Sequence, residues 1–242
     1  MNKMITRTPP GVLYLIPVPL GESGIDVALP LAVSTVTSGL KHFVVEHPKT
    51  ARHFLKQIGT AQPLQSLNLE VLDEHTPANR LTELLIPLLE GNDIGLMSEA
   101  GCPGIADPGA ALIALAHKHD IPVRPLVGPS SILLSLMASG LDGQRFAFHG
   151  YLPVEKSDRS KRLIELEKTS ARLHQTQIFI ETPYRNNVLL ADLLSTLQPR
   201  TRLCIAVDIT LPSESIRTKA TADWRKSPPD LNKRPAVFLL LA

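Results

Sequence analysis

At 242 residues, with 43% hydrophobic, 20% charged and only 4% aromatic residues, the chain is long enough for one large domain or two small ones and too apolar for general disorder. Its 39 leucines set a Leu-rich character, its 21 prolines follow no repeat and so exclude a collagen-like design, and ten aromatics argue against a broad base-stacking platform. The net charge of +2 hides an asymmetry, −3 over residues 1–150 against +5 over 151–242, which fits either a nucleic-acid-facing half or ordinary solvated lysines and arginines.

The chain opens with Lys3 and Arg7 ahead of the apolar run G-V-L-Y-L-I-P-V-P-L, which faintly imitates a signal peptide. Pro17 and Pro19 interrupt that run and no small-residue cleavage site follows, so residues 12–16 read as a first strand. A helix is expected over 25–39, a strand over 42–45, a helix over 49–58, a helix over 79–89 ending at Gly91, and a strand over 94–97. A helix over 110–119, a strand over 123–126 and a helix over 131–138 closed by Gly140 complete the first half. Strands alternating with helices of this length imply a largely parallel α/β sheet.

A short extended piece at 146–149 leads through Gly150-Tyr151-Leu152-Pro153, which reads as a linker. The expected domains are therefore 1–149 and 150–242. Beyond the linker come a charged helix at 156–168, a strand at 177–180, a helix at 187–197, and strands at 203–207, 215–220 and 236–241. Short connections there suit a mixed sheet. The fold class is α/β, built of two α/β domains.

No stretch of 18 apolar residues occurs, so no membrane span is expected. Cys102 and Cys204 stand far apart, and the eight histidines form no ligand spacing, so neither a disulfide framework nor a metal site is expected. A reducing cytoplasm is the default location.

Ligands of open α/β sheets bind beyond the carboxyl ends of the strands, and three such loops are unusual. P-V-P-L-G at 17–21 is stiffened by two prolines. S-E-A-G-C-P-G-I-A-D-P-G at 98–109 packs three glycines and two prolines into twelve residues and offers main chain rather than side chains to a polar small molecule. V-G-P-S-S at 127–131 places hydroxyls at a helix start, where capping competes with ligand contact. G-x-G-x-x-G, the P-loop and G-x-S-x-G are all absent, which removes the standard dinucleotide, nucleotide and esterase readings.

These loops, in this order, resemble the tetrapyrrole (corrin/porphyrin) methylase family, and within it the small-subunit ribosomal RNA cytidine 2′-O-methyltransferases. The hallmark S-D-A-G-T-P-G-I-S-D-P-G is matched at 98–109 with Glu99, Cys102 and Ala106 as departures. L-Y-L-I-P-V-P-L-G at 13–21, G-P-S-S at 128–131, S-G-L at 139–141, F-H-G-Y-L-P at 148–153 and I-F-I-E-T-P-Y-R at 178–185 extend the likeness along the whole chain.

The resemblance implies methyl transfer from S-adenosylmethionine lying in a cleft between two domains. It places contacts at Leu20, Gly101, Cys102, Pro103, Ile105, Ser130, Ser131, Glu181 and Ile209. It also implies a homodimer with ribosomal RNA or the small ribosomal subunit as partner. A ribose hydroxyl needs a base, and Glu46, Glu99, Asp107 and Asp208 are the candidates, each with a structural alternative as a loop brace or ion-pair partner.

Three departures bear on the substrate side. E-D-T-R is replaced by Glu46-His47-Pro48-Lys49, R-E-L-T-K by Val207-Asp208-Ile209-Thr210-Leu211, and the family's C-terminal helical extension is not expected after the last strand. They keep open a small-molecule methyltransferase, or a cofactor-binding relative without RNA activity. Arg52, Arg80 and Arg185 could meet phosphates or simply be solvated.

Overall fold

Two five-stranded sheets carry the chain in a computed structural model that describes residues 9–22 and 24–242. Lys3 and Arg7, which give the N-terminus its signal-like look, lie outside the described residues. The chain divides into two compact units, Met1–Pro129 and Ser130–Ala242.

The first unit runs β1 (Leu13–Ile16), α1 (Ile25–Ala28), α2 (Leu31–Gly39), β2 (His42–Val45), α3 (Pro48–Ile58), a 3-10 turn (Leu64–Ser66) and β3 (Asn68–Val71). It continues with α4 (Ala78–Leu84), α5 (Ile86–Leu89), β4 (Ile94–Met97), α6 (Gly109–Lys118) and β5 (Val123–Pro125). All strands are parallel, in the order β3-β2-β4-β1-β5. The central strands are apolar on both faces, as a sheet covered on two sides requires. Leu13, Val44, Ile94 and Leu96 face one core, and Ile16, Phe43, Val45 and Met97 face the other.

Two expected helices are each broken in two. In 25–39, Pro30 forces Leu29 into an extended conformation (φ −125°, ψ 133°), ending α1 before α2 begins. In 79–89, Pro87 lacks an N–H to continue α4 and instead occupies the first turn of α5. Strand β3 has no strong sequence signal because it is a short edge strand whose four residues are all at least partly exposed.

The second unit runs α7 (Ser131–Ser139), β6 (Phe146–Tyr151), α8 (Lys156–Leu173), β7 (Thr176–Ile180), α9 (Asn186–Thr196), β8 (Arg202–Val207), β9 (Ser215–Ala220), α10 (Thr221–Lys226) and β10 (Ala236–Leu241). The sheet order is β6-β7-β10-β8-β9, with β6 parallel to β7 and the other pairs antiparallel. Phe179 and Phe238 stack at its centre with ring centroids 6.0 Å apart. Arg159 is buried against Asp192, its Nε donating to Oδ2 at 2.7 Å.

The division falls between Pro129 and Ser130 rather than between 149 and 150. Helix α7 packs on β9 and β10, Thr218 Oγ1 donates to the Ser139 carbonyl at 2.6 Å, and β6 completes the second sheet beside β7. Local sequence cannot show that packing. Moving the boundary transfers Asp142 and Arg145 together, so the units keep net charges of −3 and +5. Among the described residues no helix is long and apolar enough to cross a membrane.

Candidate functional site

In the first unit two of the unusual loops, those after β1 and β4, gather beyond the carboxyl ends of the strands with the loop after β2 beside them. The loop after β1 is fastened to the loop after β4 by reciprocal hydrogen bonds, Val18 N to Gly101 O at 2.9 Å and Gly101 N to Val18 O at 2.8 Å. This bridge carries Leu20 to Gly101, where a methyl built on the glycine would sit 3.4 Å from Leu20 Cδ2. Gly101 (φ 74°) and Gly104 (φ 83°) occupy the left-handed region, and a methyl on Gly104 would meet Ile113 Cδ1 at 2.8 Å.

Asp107 holds this shape. Its carboxylate accepts the Gly104 N–H at 2.8 and 2.9 Å and the Gly109 N–H at 2.7 Å. Cys102 Sγ donates to the Pro129 carbonyl at 3.3 Å, and partial burial pushes its thiol up, so it stays neutral. Pro103 is buried, whereas Ile105 is half exposed.

Three of the four acidic candidates gather here. Glu46 follows β2, and its carboxyl is raised above the ordinary value by burial first, then by the negative charges of Asp107 and Glu99. Glu99 accepts Thr50 Oγ1 at 2.6 Å, while that hydroxyl also contacts the His47 carbonyl at 2.9 Å. Glu46 and Glu99 line a small hollow of about 30 Å3 with His47, Thr50, Met97 and Ser98. Thr50 was not legible as a site residue, because its partner lies 49 positions away.

The remaining candidates lie in the second unit. Ser130 caps α7, its Oγ accepting the Leu133 N–H at 3.5 Å, and Ser131 opens that helix. Glu181 follows β7 and accepts Arg185 Nη2 at 2.7 Å and its own neighbour's N–H, that of Thr182, at 2.6 Å. Asp208 follows β8 and pairs with Arg234 at 2.7 Å while accepting Ser213 Oγ at 2.8 Å. Both acids flank the start of β10, since Ile180 pairs with Val237 and Val207 with Ala236.

Ile209 is buried between two strained neighbours, Asp208 at φ 50° and Thr210 at φ 72°. A β-branched residue in the left-handed region is costly, and Thr210 Oγ1 is also buried without a hydrogen-bond partner among the described residues. No residue-type pattern announces that position. Of the arginines read as phosphate contacts, Arg80 is occupied by Glu70 and Glu83, Arg185 by Glu181, and Arg52 is exposed.

The two-sheet α/β architecture is one that solved structures share. The chain is similar to the crystal structure of the methyltransferase CobJ, with a TM-score of 0.63, 20% identity, and 96% of this chain and 94% of that one covered. It is also similar to uroporphyrin-III-C-methyltransferase from Thermus thermophilus, with a TM-score of 0.52, 18% identity, and 96% and 92% covered. No family model matches the chain.

Sequence relatives are more specific. Ribosomal RNA small subunit methyltransferase I of Vibrio cholerae is 30% identical over 99% of this chain and 79% of its own length, and that of Xylella fastidiosa is 31% identical over 96% and 81%. The Micromonospora olivasterospora protein of the same name is 35% identical over 78% of this chain, a stretch that spans 57% of that relative. The chain belongs to the ribosomal RNA small subunit methyltransferase I family.

Proposed function

We propose that the protein methylates a ribose 2′-hydroxyl of a cytidine in small-subunit ribosomal RNA, using S-adenosylmethionine as donor. The observation that carries this reading is the glycine loop after β4, held open by Asp107, in a chain of this family. The alternative of a small-molecule substrate rests on the altered substrate-side motifs and on fold likeness, and the sequence relatives do not favour it.

The residues present fit the donor. A left-handed glycine turn offers main-chain polar groups in the first unit, and the second holds an orphaned hydroxyl at Thr210 beside Ile209. By the family likeness, the residues that would hold it are Leu20, Gly101, Cys102, Pro103, Ile105, Ser130, Ser131, Glu181 and Ile209. When bound, S-adenosylmethionine supplies an electrophilic methyl on a sulfonium. The chain contributes alignment and exclusion of water, which account for most of the acceleration in such a displacement.

Among the four acids, Glu46 is the base this reading favours. Asp107 is engaged by two backbone N–H groups, Glu99 by Thr50 and Asp208 by Arg234, whereas Glu46 is set to accept a proton nearer neutral pH. In this reading Asp107 and Asp208 are positioning groups.

A homodimer and a cytoplasmic location belong to the same reading. Leu133 and Met137, one helical turn apart on α7, are 51% and 79% exposed, an apolar stripe suited to burial against a second copy. Light scattering on the purified protein should give twice the chain mass. The activity is tested by incubating methyl-labelled S-adenosylmethionine with undermethylated small ribosomal subunits and digesting the RNA to nucleosides. Label in 2′-O-methylcytidine is the expected result, and label in no nucleoside rejects the reading.

A further inference from the structure

We propose that the turn entering α9 and the loop preceding β10 form one rigid docking face for single-stranded RNA, with Tyr184 stacking on a base and Lys233 meeting a phosphate. This rests on the RNA reading above and specifies where the acceptor strand would lie on the second unit.

The two segments, T-P-Y-R at 182–185 and D-L-N-K-R-P at 230–235, are far apart in sequence but stapled together. Lys233 N donates to the Pro183 carbonyl at 3.1 Å, and Asn186 Nδ2 donates to the Arg234 carbonyl at 2.6 Å. Asn187 uses both ends of its amide, accepting Leu231 N at 2.8 Å and donating to Asp230 Oδ1 at 2.8 Å. Backbone fixed in this way presents its outward side chains without a large ordering cost on binding.

Those outward side chains have a nucleic-acid character. Tyr184 is 75% exposed, more than Tyr151 at 56% or Phe146 at 39%, in a chain with only ten aromatics. The carboxylates beneath are buried, with side chains 2% exposed at Glu181 and 8% at Asp208, while their partners Arg185 and Arg234 are 40% and 35% exposed. A partly exposed arginine, already paired with its own carboxylate, therefore borders the face on each side. Lys233 is exposed and makes no ion pair among the described residues, while Asp230, also exposed, is engaged by Asn187 Nδ2 and the Asn232 N–H as part of the staple.

An aromatic face flanked by cations matches the way unstacked bases and their phosphates are held. One exposed tyrosine is a single stacking point rather than a broad platform, which agrees with the low aromatic content. The face adjoins Glu181 and Asp208 at the start of β10, so a strand held there would lie beside these two acids.

The test measures binding of a short fluorescein-labelled single-stranded RNA containing cytidines to the full chain by anisotropy across a salt series. Tyr184→Ala should weaken binding by at least about fivefold at fixed salt without changing the salt slope, and Tyr184→Phe should stay within roughly twofold of the parent because it keeps the stacking face. Lys233→Gln should lower the slope of log affinity against log salt by about 0.7, one phosphate contact on a single strand. Calorimetry with the demethylated product of S-adenosylmethionine should give unchanged affinity for all three variants, which shows that they are folded.

Parental RNA affinity and slope in both Tyr184→Ala and Lys233→Gln, with a parent that methylates small-subunit RNA, overturn this face and leave the functional reading standing. A change of oligomeric state in those variants with RNA binding intact also overturns it and assigns the face to protein contact. A parent that neither binds nor methylates RNA removes both.

Discussion

Asp107 accepts the Gly104 N–H with both carboxylate oxygens, at 2.8 and 2.9 Å, and so ties the end of the glycine loop to its middle. The same carboxylate takes the Gly109 N–H at the start of α6, so one side chain closes the loop at two points. Asp107→Ala leaves these donors without their acceptor, a loss of about 2 kcal/mol for hydrogen bonds to a charged group. The expected result is a lower unfolding midpoint together with at least roughly tenfold weaker binding of the demethylated cofactor product by calorimetry. Affinity equal to that of the parent would show that the loop's shape does not depend on the brace.

The pH behaviour of Glu46 has a definite sign. Its folded-state value lies above the ordinary 4.5, because of burial and then of Asp107 and Glu99. Between 4.5 and the raised value the folded protein keeps a proton that the unfolded chain has released, so stability falls as pH rises through that window. Glu46→Gln should abolish that fall in denaturant titrations at several pH values. The same variant should lower kcat by about 100-fold or more if Glu46 takes the ribose proton, and the acid limb of the rate profile should vanish with it.

Thr210 separates stability from function. Its φ of 72° costs a β-branched residue about 1–2 kcal/mol, which Thr210→Gly relieves. The variant should therefore unfold at a higher denaturant concentration while binding the demethylated cofactor product more weakly, because the orphaned hydroxyl is gone. Higher stability with unchanged affinity would mean that the hydroxyl meets no ligand.

Arg159 is a test of the second unit's core. Its guanidinium contacts Asp192 at 2.5 Å and the Pro153 carbonyl at 3.1 Å, and both side chains of the pair are 6% exposed. Arg159→Met strands a buried carboxylate, at a cost of about 3–5 kcal/mol. Replacing both, Arg159→Met with Asp192→Leu, should recover most of that loss in chemical denaturation, since an apolar pair fills the space without an unpaired charge.

Much of the secondary structure is a local property. Strands at 42–45, 94–97, 215–220 and 236–241 follow directly from short apolar or alternating runs bounded by turns, and they stand at those residues in the structure. Helix α8 extends to Leu173, beyond the expected 168, where Ser170 is buried and its Oγ accepts the Ala242 N–H at 3.0 Å after the last strand. Helix α10 was not legible at all, being six residues whose Trp224 is defined by a hydrogen bond to Leu203 in another element.

The amino-acid sequence by itself determined the alternation of strands and helices, the glycine loop at 98–109 and the family likeness, since each rests on residues close together in the chain. The tertiary structure alone decided the order of strands, the division at Pro129 and the employment of each acid. Glu99 is engaged by Thr50, Asp208 by Arg234, and Glu46 is perturbed by burial and then by two acids from another loop. The reason is physical: a carboxylate's role depends on the charges and donors within a few ångströms, and folding draws those from positions that the linear pattern keeps far apart.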